Sequence, residues 1–449
     1  MPARSHGLVP FRDAFRWWLK LGFINFGGPA GQISVMHDEL VDRRRWISDN
    51  RFLHALNYCM LLPGPEAQQL AIYIGWLLNG TIGGIVAGVL FVLPGFFLIL
   101  GLSWTYAVHG DIEWVAAIFY GLEAAVVAIV AAAVIRLGSK ALKNPFAYVI
   151  AAAAFVAIFA LHVPFPVVVI GAGVVGFVAS RVSVGLVPPV APGGSDENEA
   201  VIGDAAVHEA RPGIGRAAKV VAVGLTVWLV PLLAVAAVRG ADDTLTQQAT
   251  FFSKAAMVTF GGAYAVLAYI NQAAVETYGW LEPGQMVTGL GLAESTPGPL
   301  IMVTEFVGYL AAFRFPGGLD PVAAGVLGAM VATWATFAPC FLWIFLGAPY
   351  IESLRGNRSL NAALSALTAA VVGVVLNLAV TFAIFALFEE VVQSRILRMS
   401  FPRPLVGTVD PFAIAVAAVA FVGLWRYRWS VLWVVFGSAA AGLVYRALT

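Results

Sequence analysis

Apolar runs near the ~20 residues that a helix needs to cross a bilayer recur along this chain, at 83–106, 114–135, 148–162, 217–238, 322–346 and 362–388. Only 11% of the 449 residues are charged and 60% are hydrophobic, whereas a soluble domain carries about 25% and 45–50%. The runs do not alternate apolar with polar residues, as lipid-facing barrel strands must. The chain therefore reads as an all-α polytopic membrane protein, with the lipid bilayer as its solvent. A net charge of +1 offers no basic surface for nucleic acid. Cys59 and Cys340 stand far apart in apolar surroundings and form no disulfide framework. Near the N-terminus, Arg4, Arg12, Arg16 and Lys20 surround a short mixed segment without a cleavage site. It reads as an amphipathic helix on the membrane surface over 8–20, and not as a signal peptide.

The long polar stretch 183–215 is rich in Pro, Gly and acidic residues and cannot bury a core. It divides the chain into an N-terminal membrane repeat (1–182), a flexible linker (183–215), a connecting transmembrane helix and loop (216–249) and a C-terminal repeat (250–449). The halves are related by duplication. An ungapped offset of 234 places Phe26-Gly27-Gly28 on Phe260-Gly261-Gly262, Trp46 on Trp280, and Pro63-Gly64-Pro65 on Pro297-Gly298-Pro299. After an insertion near 310–320 the offset becomes 245, and Pro94 meets Pro339.

Cytoplasmic loops collect Lys and Arg. The basic segments are the N-terminus, 37–51, 136–143, 351–358 and 426–428, while 107–113, 161–165 and 276–283 carry neither residue. This pattern predicts a cytoplasmic N-terminus and an odd number of spans between equivalent positions, so that the two repeats are inverted. The loop 389–411 fits it badly. Whether the first two apolar segments of each half turn back as hairpins or cross fully is open at this level.

Inverted repeats with Gly/Pro-interrupted segments at matching places are the pointer to a midplane site in secondary transporters. Proline suits the first turn of a helix, so Pro29, Pro65 and Pro299 are expected to start short helices that point away from the breaks. Free N–H groups and a partial positive charge at such ends hold an anion without a charged side chain, and glycine lets the backbone come close. The expected substrate-binding set is Asn25, Phe26, Gly27, Gly28, Pro29, Gln32, Pro63, Gly64, Pro65, Gln68, Thr259, Phe260, Gly261, Gly262, Tyr264, Ser295, Thr296, Pro297, Gly298 and Pro299, with Gln69 as a further donor nearby and Lys254 as a cationic counterweight. Ionisable residues inside apolar segments are functional candidates by default. Glu66, Glu123, Glu294 and Glu305 are therefore expected to couple anion movement to protons, since protonation relieves the repulsion between a carboxylate and an anion. The spacing of Gly80, Gly84 and Gly88 predicts close helix packing, and Trp17, Trp18, Trp46 and Trp280 suit the membrane interface. The histidines show no metal-ligand spacing, and no HExxH, GxSxG or phosphate-loop motif is present. No metal, cofactor or enzymatic activity is expected.

The segments "FGGPAGQISVMHDELVDRRRWIS", "LLPGPEAQQLAIYIGWL" and "VTFGGAYAVLAYI…YGWL…ESTPGPLIMVTEFVGY" resemble the chromate ion transporter (CHR) family in its long two-domain form. The resemblance spans nearly the whole chain outside the linker and the C-terminal tail. It implies export of chromate across the cytoplasmic membrane, conferring resistance, and driven by the proton gradient or by exchange with sulfate. It carries over to Phe26, Gly27, Gly28, Pro29, Pro63, Gly64, Pro65, Phe260, Gly261, Gly262, Pro297, Gly298 and Pro299. The same scaffold suits sulfate or another tetrahedral dianion, taken up or exchanged. A homodimer is among the arrangements the sequence allows.

Overall fold

A computed structural model describes residues 9–26, 28–60, 62–182, 213–259, 263–348, 358–396 and 399–448. The predicted linker lies outside these residues except for its last three positions, and so does most of the basic segment 351–358. The first half contains α1 (Phe11–Ile24), α2 (Gly28–His37), α3 (Asp49–Cys59), α4 (Glu66–His109), α5 (Glu113–Ala141), α6 (Pro145–Phe159) and α7 (Phe165–Val182). Helix α8 (Ile214–Arg239) leads to α9 (Thr244–Val258), α10 (Ala263–Gln272), α11 (Gln285–Ser295), α12 (Val303–Arg314), α13 (Pro321–Gly347) and α14 (Arg358–Leu387). The chain closes with α15 (Pro411–Arg426) and α16 (Val431–Leu448). Among the described residues, six helices are long and apolar enough to cross a membrane. The protein is an all-α polytopic membrane protein, as its composition requires.

Local sequence explains where helices begin. Asn144, Asp320 and Asp410 each stand before a proline, and each side chain accepts the backbone N–H three residues on. That pairs an N-cap acceptor with a residue that needs no donor partner. Helix α4 is two helices joined at Asn79 and Gly80 (φ +66), and the Asn79 amide donates to Val9 O at 2.8 Å. At the matching place in the second half, the loop 315–320 separates α12 from α13. The insertion inferred from the change of offset therefore replaces a kink. Gly80 serves that kink, and among the described residues no atom lies within 4 Å of where a Cβ on it would stand, so it does not fill the packing role read from its spacing. Gly84 and Gly88 do lie against Phe345 and Phe341 of α13.

The element order of the second half repeats that of the first. In each half a pair of helices flanks the FGG motif, a second pair flanks the PGP motif, and two long helices follow. Helices α6 and α7 pack on α14, while α15 and α16 pack on α5. Close approach is secured by small residues: Gly121 of α5 lies against Ser438 O, and Gly442 of α16 against Ala117 O. Trp17, Trp18, Trp46 and Trp280, expected at the interface, are instead buried in the protein. The α1 helix is accordingly more than a surface helix. It packs Trp17, Trp18 and Leu21 inward and leaves Phe11, Phe15 and Phe23 outward.

The turn after α2 is held by charge. The His37 ring reaches Asp49 at 2.6 Å and Asp42 at 3.3 Å. Arg44 bonds Glu39 at 2.8 Å and stacks over Trp46. Burial opposes ionisation of Glu39, but hydrogen bonding and charge from Arg44, with Lys20 and Arg43 behind it, hold the carboxyl below its usual range. Between α14 and α15 lies an antiparallel hairpin, β1 (Val391–Ile396) and β2 (Met399–Pro404), where the sequence suggested only a loop.

Candidate functional site

The prolines open helices as expected. Asn25 leaves α1 with φ −84° and ψ 58°, and α2 begins at Gly28 with Pro29 in its first turn. Pro65 directly precedes α4. Pro299 precedes a 3₁₀ turn (Leu300–Met302) that runs into α12. Gly27, Phe260, Gly261 and Gly262 lie outside the described residues. At ~1.5 Å per residue, α2, α3, α10, α11 and α12 are each too short to cross ~30 Å of hydrocarbon alone. The breaks thus fall where half-length helices end.

The breaks meet in the interior. The Gly64 N–H donates to Thr259 O at 2.9 Å, and the Gly298 N–H donates to Asn25 O at 3.4 Å. The offset of 234 maps Asn25 onto Thr259 and Gly64 onto Gly298, so the two bonds are equivalent. Each joins a PGP turn of one half to an FGG break of the other. Gly64 and Gly298 also share one backbone conformation, φ +122° and +120°, a region that L side chains avoid. Gly64 lies against Cys340 and Gly298 against Gly95. These are the residues that follow Pro339 and Pro94 in the two long helices.

Side chains complete the assembly. Gln32 Nε2 donates to Asn25 O at 2.9 Å and to Gly298 O at 2.5 Å. Gln69 Nε2 donates to Pro63 O at 2.8 Å, and Asn25 Nδ2 to Phe91 O at 3.2 Å. Gln68 reaches Gly88 O, Thr259 reaches Ala255 O, and both Ser295 and Thr296 reach Leu292 O. Except for Tyr264, the side-chain donors named from sequence are therefore engaged in holding main chain rather than pointing into free space. The amides left for an anion are those of the first helical turns, which have no intrahelical acceptor. Among the described residues, the buried Asn25 Oδ1, Gln32 Oε1, Gln68 Oε1 and Gln69 Oε1 find no partner.

The acids sit differently from one another. Glu294 is buried and accepts the Tyr264 hydroxyl at 2.5 Å. Tyr264 itself faces Gly28 at the start of α2, and the charge of Arg136 reaches both Tyr264 and Glu294. Glu123 of α5 accepts a hydrogen bond from Thr288. Glu305 is fully buried on α12, and neither of its oxygens has a partner. Glu66 opens α4 and is half-buried, while Lys254 is exposed on α9, outside the buried cluster. A cavity of about 110 Å³ lies elsewhere, at the far end of α10, lined by His162, Asn271, Gln272, Glu276, Asn377 and Thr381 among others. None of the residues chosen from sequence lines it. Tyr106 and Thr288 were missed by sequence reasoning; the signal available was Glu123 itself, a carboxylate in an apolar run that needs hydroxyl donors nearby.

A family model described as "Chromate transporter" matches residues 12–177 and 246–443. A chromate transport protein of Pseudomonas aeruginosa is 32% identical over 440 residues, covering 97% of this chain and 92% of the relative. Another, from Cupriavidus metallidurans, is 31% identical over 380 residues, covering 83% and 82%. An uncharacterized transporter of Methanocaldococcus jannaschii is 25% identical over 375 residues, covering 83% and 84%. No solved structure matches the chain.

Proposed function

The chain belongs to the chromate transporter family, and we propose that it is a secondary-active carrier that exports chromate across the cytoplasmic membrane. The observation that carries this reading is the equivalent pair of bonds, Gly64 to Thr259 and Gly298 to Asn25. They link four helix breaks, two from each half, in two pairs, and Tyr264 beside Gly28 brings the two FGG breaks together. Helix N-termini there supply partial positive charge and free amides for a tetrahedral dianion. The unpaired amide oxygens of Asn25 and Gln32 accept from water or a hydroxyl carried in with the ion. We place this cluster near the membrane midplane and assign the halves opposite orientations, with the N-terminus cytoplasmic, on the distribution of Lys and Arg.

Alternating access then consists of one repeat moving against the other and breaking the two equivalent bonds in turn. The protein acts as a carrier and not as an enzyme. Net export is driven by the proton gradient or by exchange for sulfate. The second reading, uptake or exchange of sulfate or a related oxyanion, draws on the same geometry, because backbone amides discriminate weakly among tetrahedral dianions. The test is labelled chromate flux in proteoliposomes under imposed pH gradients, with sulfate as competitor. Chromate movement that sulfate slows only in excess is the expected result. Sulfate transport without chromate transport would favour the second reading, and movement of neither ion would defeat both.

A further inference from the structure

Away from the breaks, a second polar set crosses the apolar interior. The exposed side chain of Glu282 pairs with Arg314 at 3.1 Å, and Arg314 also donates to Trp280 O. The Glu282 N–H donates to Gln285 Oε1 at 2.9 Å. Gln285 Nε2 donates in turn to the Tyr106 hydroxyl at 3.3 Å. Gln285 and Thr288 stand one turn apart on α11, so the side chain that reaches Tyr106 and the Thr288 hydroxyl share one helix face, and the Thr288 hydroxyl donates to Glu123 Oε1. Polar contacts thus run from the exposed loop before α11 to a carboxylate inside α5. The rest of that neighbourhood is apolar: Leu122 and Val126 flank Gly291, and the Tyr106 ring packs on Phe119 and Phe306.

Among the described residues, the groups around Glu123 leave its charge without a cationic partner. Helix α4 contributes Tyr106 and α11 contributes Thr288, while Arg314 of α12 acts on Tyr106. Helix α14 carries no titratable residue after Arg358. On the other side of α5, Asp410, Tyr445 and Arg446 gather on Tyr120 instead. A carboxylate kept in this setting, with two hydroxyls in series leading to the surface, is arranged to take up a proton.

We propose that Tyr106, Thr288 and Glu123 form the proton path of this carrier, opening at the loop 278–284; the proposal rests on the transport reading above. A proton delivered by water to Tyr106 Oη releases the phenolic proton, through one bridging water, to Thr288 Oγ1. The Thr288 hydroxyl proton then passes to Glu123 Oε1. Each hydroxyl gains one O–H bond and gives one up, and the carboxylate ends neutral. The same step reaches the anion cluster through α11. Thr288 bonds an ionised carboxylate more strongly than a neutral one, so proton uptake loosens the contact between α5 and α11. Ser295, where α11 ends at the PGP turn, is only about 10 Å farther along that helix.

The experiment uses the full chain in proteoliposomes, with labelled chromate and an internal pH dye. Glu123→Gln is expected to lower chromate flux driven by a pH gradient at least tenfold (~1.4 kcal/mol), while chromate-for-chromate exchange without a gradient changes less than about twofold. Thr288→Val should shift the same balance, and Thr288→Ser, which keeps the hydroxyl, should restore it. Gradient-driven flux and exchange falling together, or neither falling, would overturn the path. A parent protein that moves neither chromate nor sulfate would instead overturn the transport reading and this inference with it.

Discussion

Replacing Gly64 and Gly298 by alanine, one at a time, tests whether the two PGP turns are equivalent parts of one site. Both residues hold φ near +120°, a region essentially confined to glycine, so an added Cβ costs about 1–3 kcal/mol in backbone strain alone. At Gly298 little else changes, because the new atom meets Gly95 Cα at 3.5 Å and Met302 Cγ at 3.6 Å, ordinary contact distances. At Gly64 it falls 2.8 Å from both Cys340 Sγ and Gln69 Nε2. Gln69 must then withdraw from Pro63 O, which adds about 0.5–1.5 kcal/mol for the lost hydrogen bond. If the strain is relieved by distorting the turn, Gly298→Ala weakens anion affinity about 5- to 150-fold, and Gly64→Ala weakens it further. Chromate affinity from equilibrium binding and thermal unfolding of the purified protein measure the two effects separately. Unchanged affinity and stability in both variants would refute the argument, as would greater damage at Gly298 than at Gly64.

Gln32→Leu strands the Gly298 carbonyl in the interior, while Asn25 O keeps the Gly298 N–H; it should destabilise the protein by about 1–3 kcal/mol, seen as a lower unfolding temperature in detergent. Glu39 titrates below its usual range in the folded protein, so its contact with Arg44 contributes stability that is full above the ordinary carboxylate pKa and is lost as the pH falls through the lowered one. In Glu39→Gln the loss of stability on acidification should be shallower than in the parent, measured by unfolding across pH 3 to 6, a window of roughly one unit or more about the reference value.

The short breaks were legible because glycine and proline act on their own neighbours. A proline beside glycine at 29, 65 or 299 favours a helix start, where its missing N–H costs nothing, and disfavours a helix interior. The duplication was equally legible, since an offset needs only the letters. The hydroxyls of Tyr106 and Thr288 were not, because each is an ordinary residue near the end of an apolar helix until Glu123 is placed beside it. What the side-chain donors bond to was not legible for a related reason. Sequence shows that Gln32 or Thr259 carries an N–H or O–H, but the nearest buried carbonyl captures that donor before any ligand can.

Class and internal order were set by the chain's own letters: long apolar runs must become helices in lipid, where every backbone polar group has to be paired within its segment. Which break touches which was decided only by the tertiary structure. Gly64 and Thr259 are far apart in sequence, and the bond between them exists because packing of the long helices brings an amide of one half to a carbonyl of the other. Hydrogen bonds of that kind depend on positions and angles that no local preference encodes.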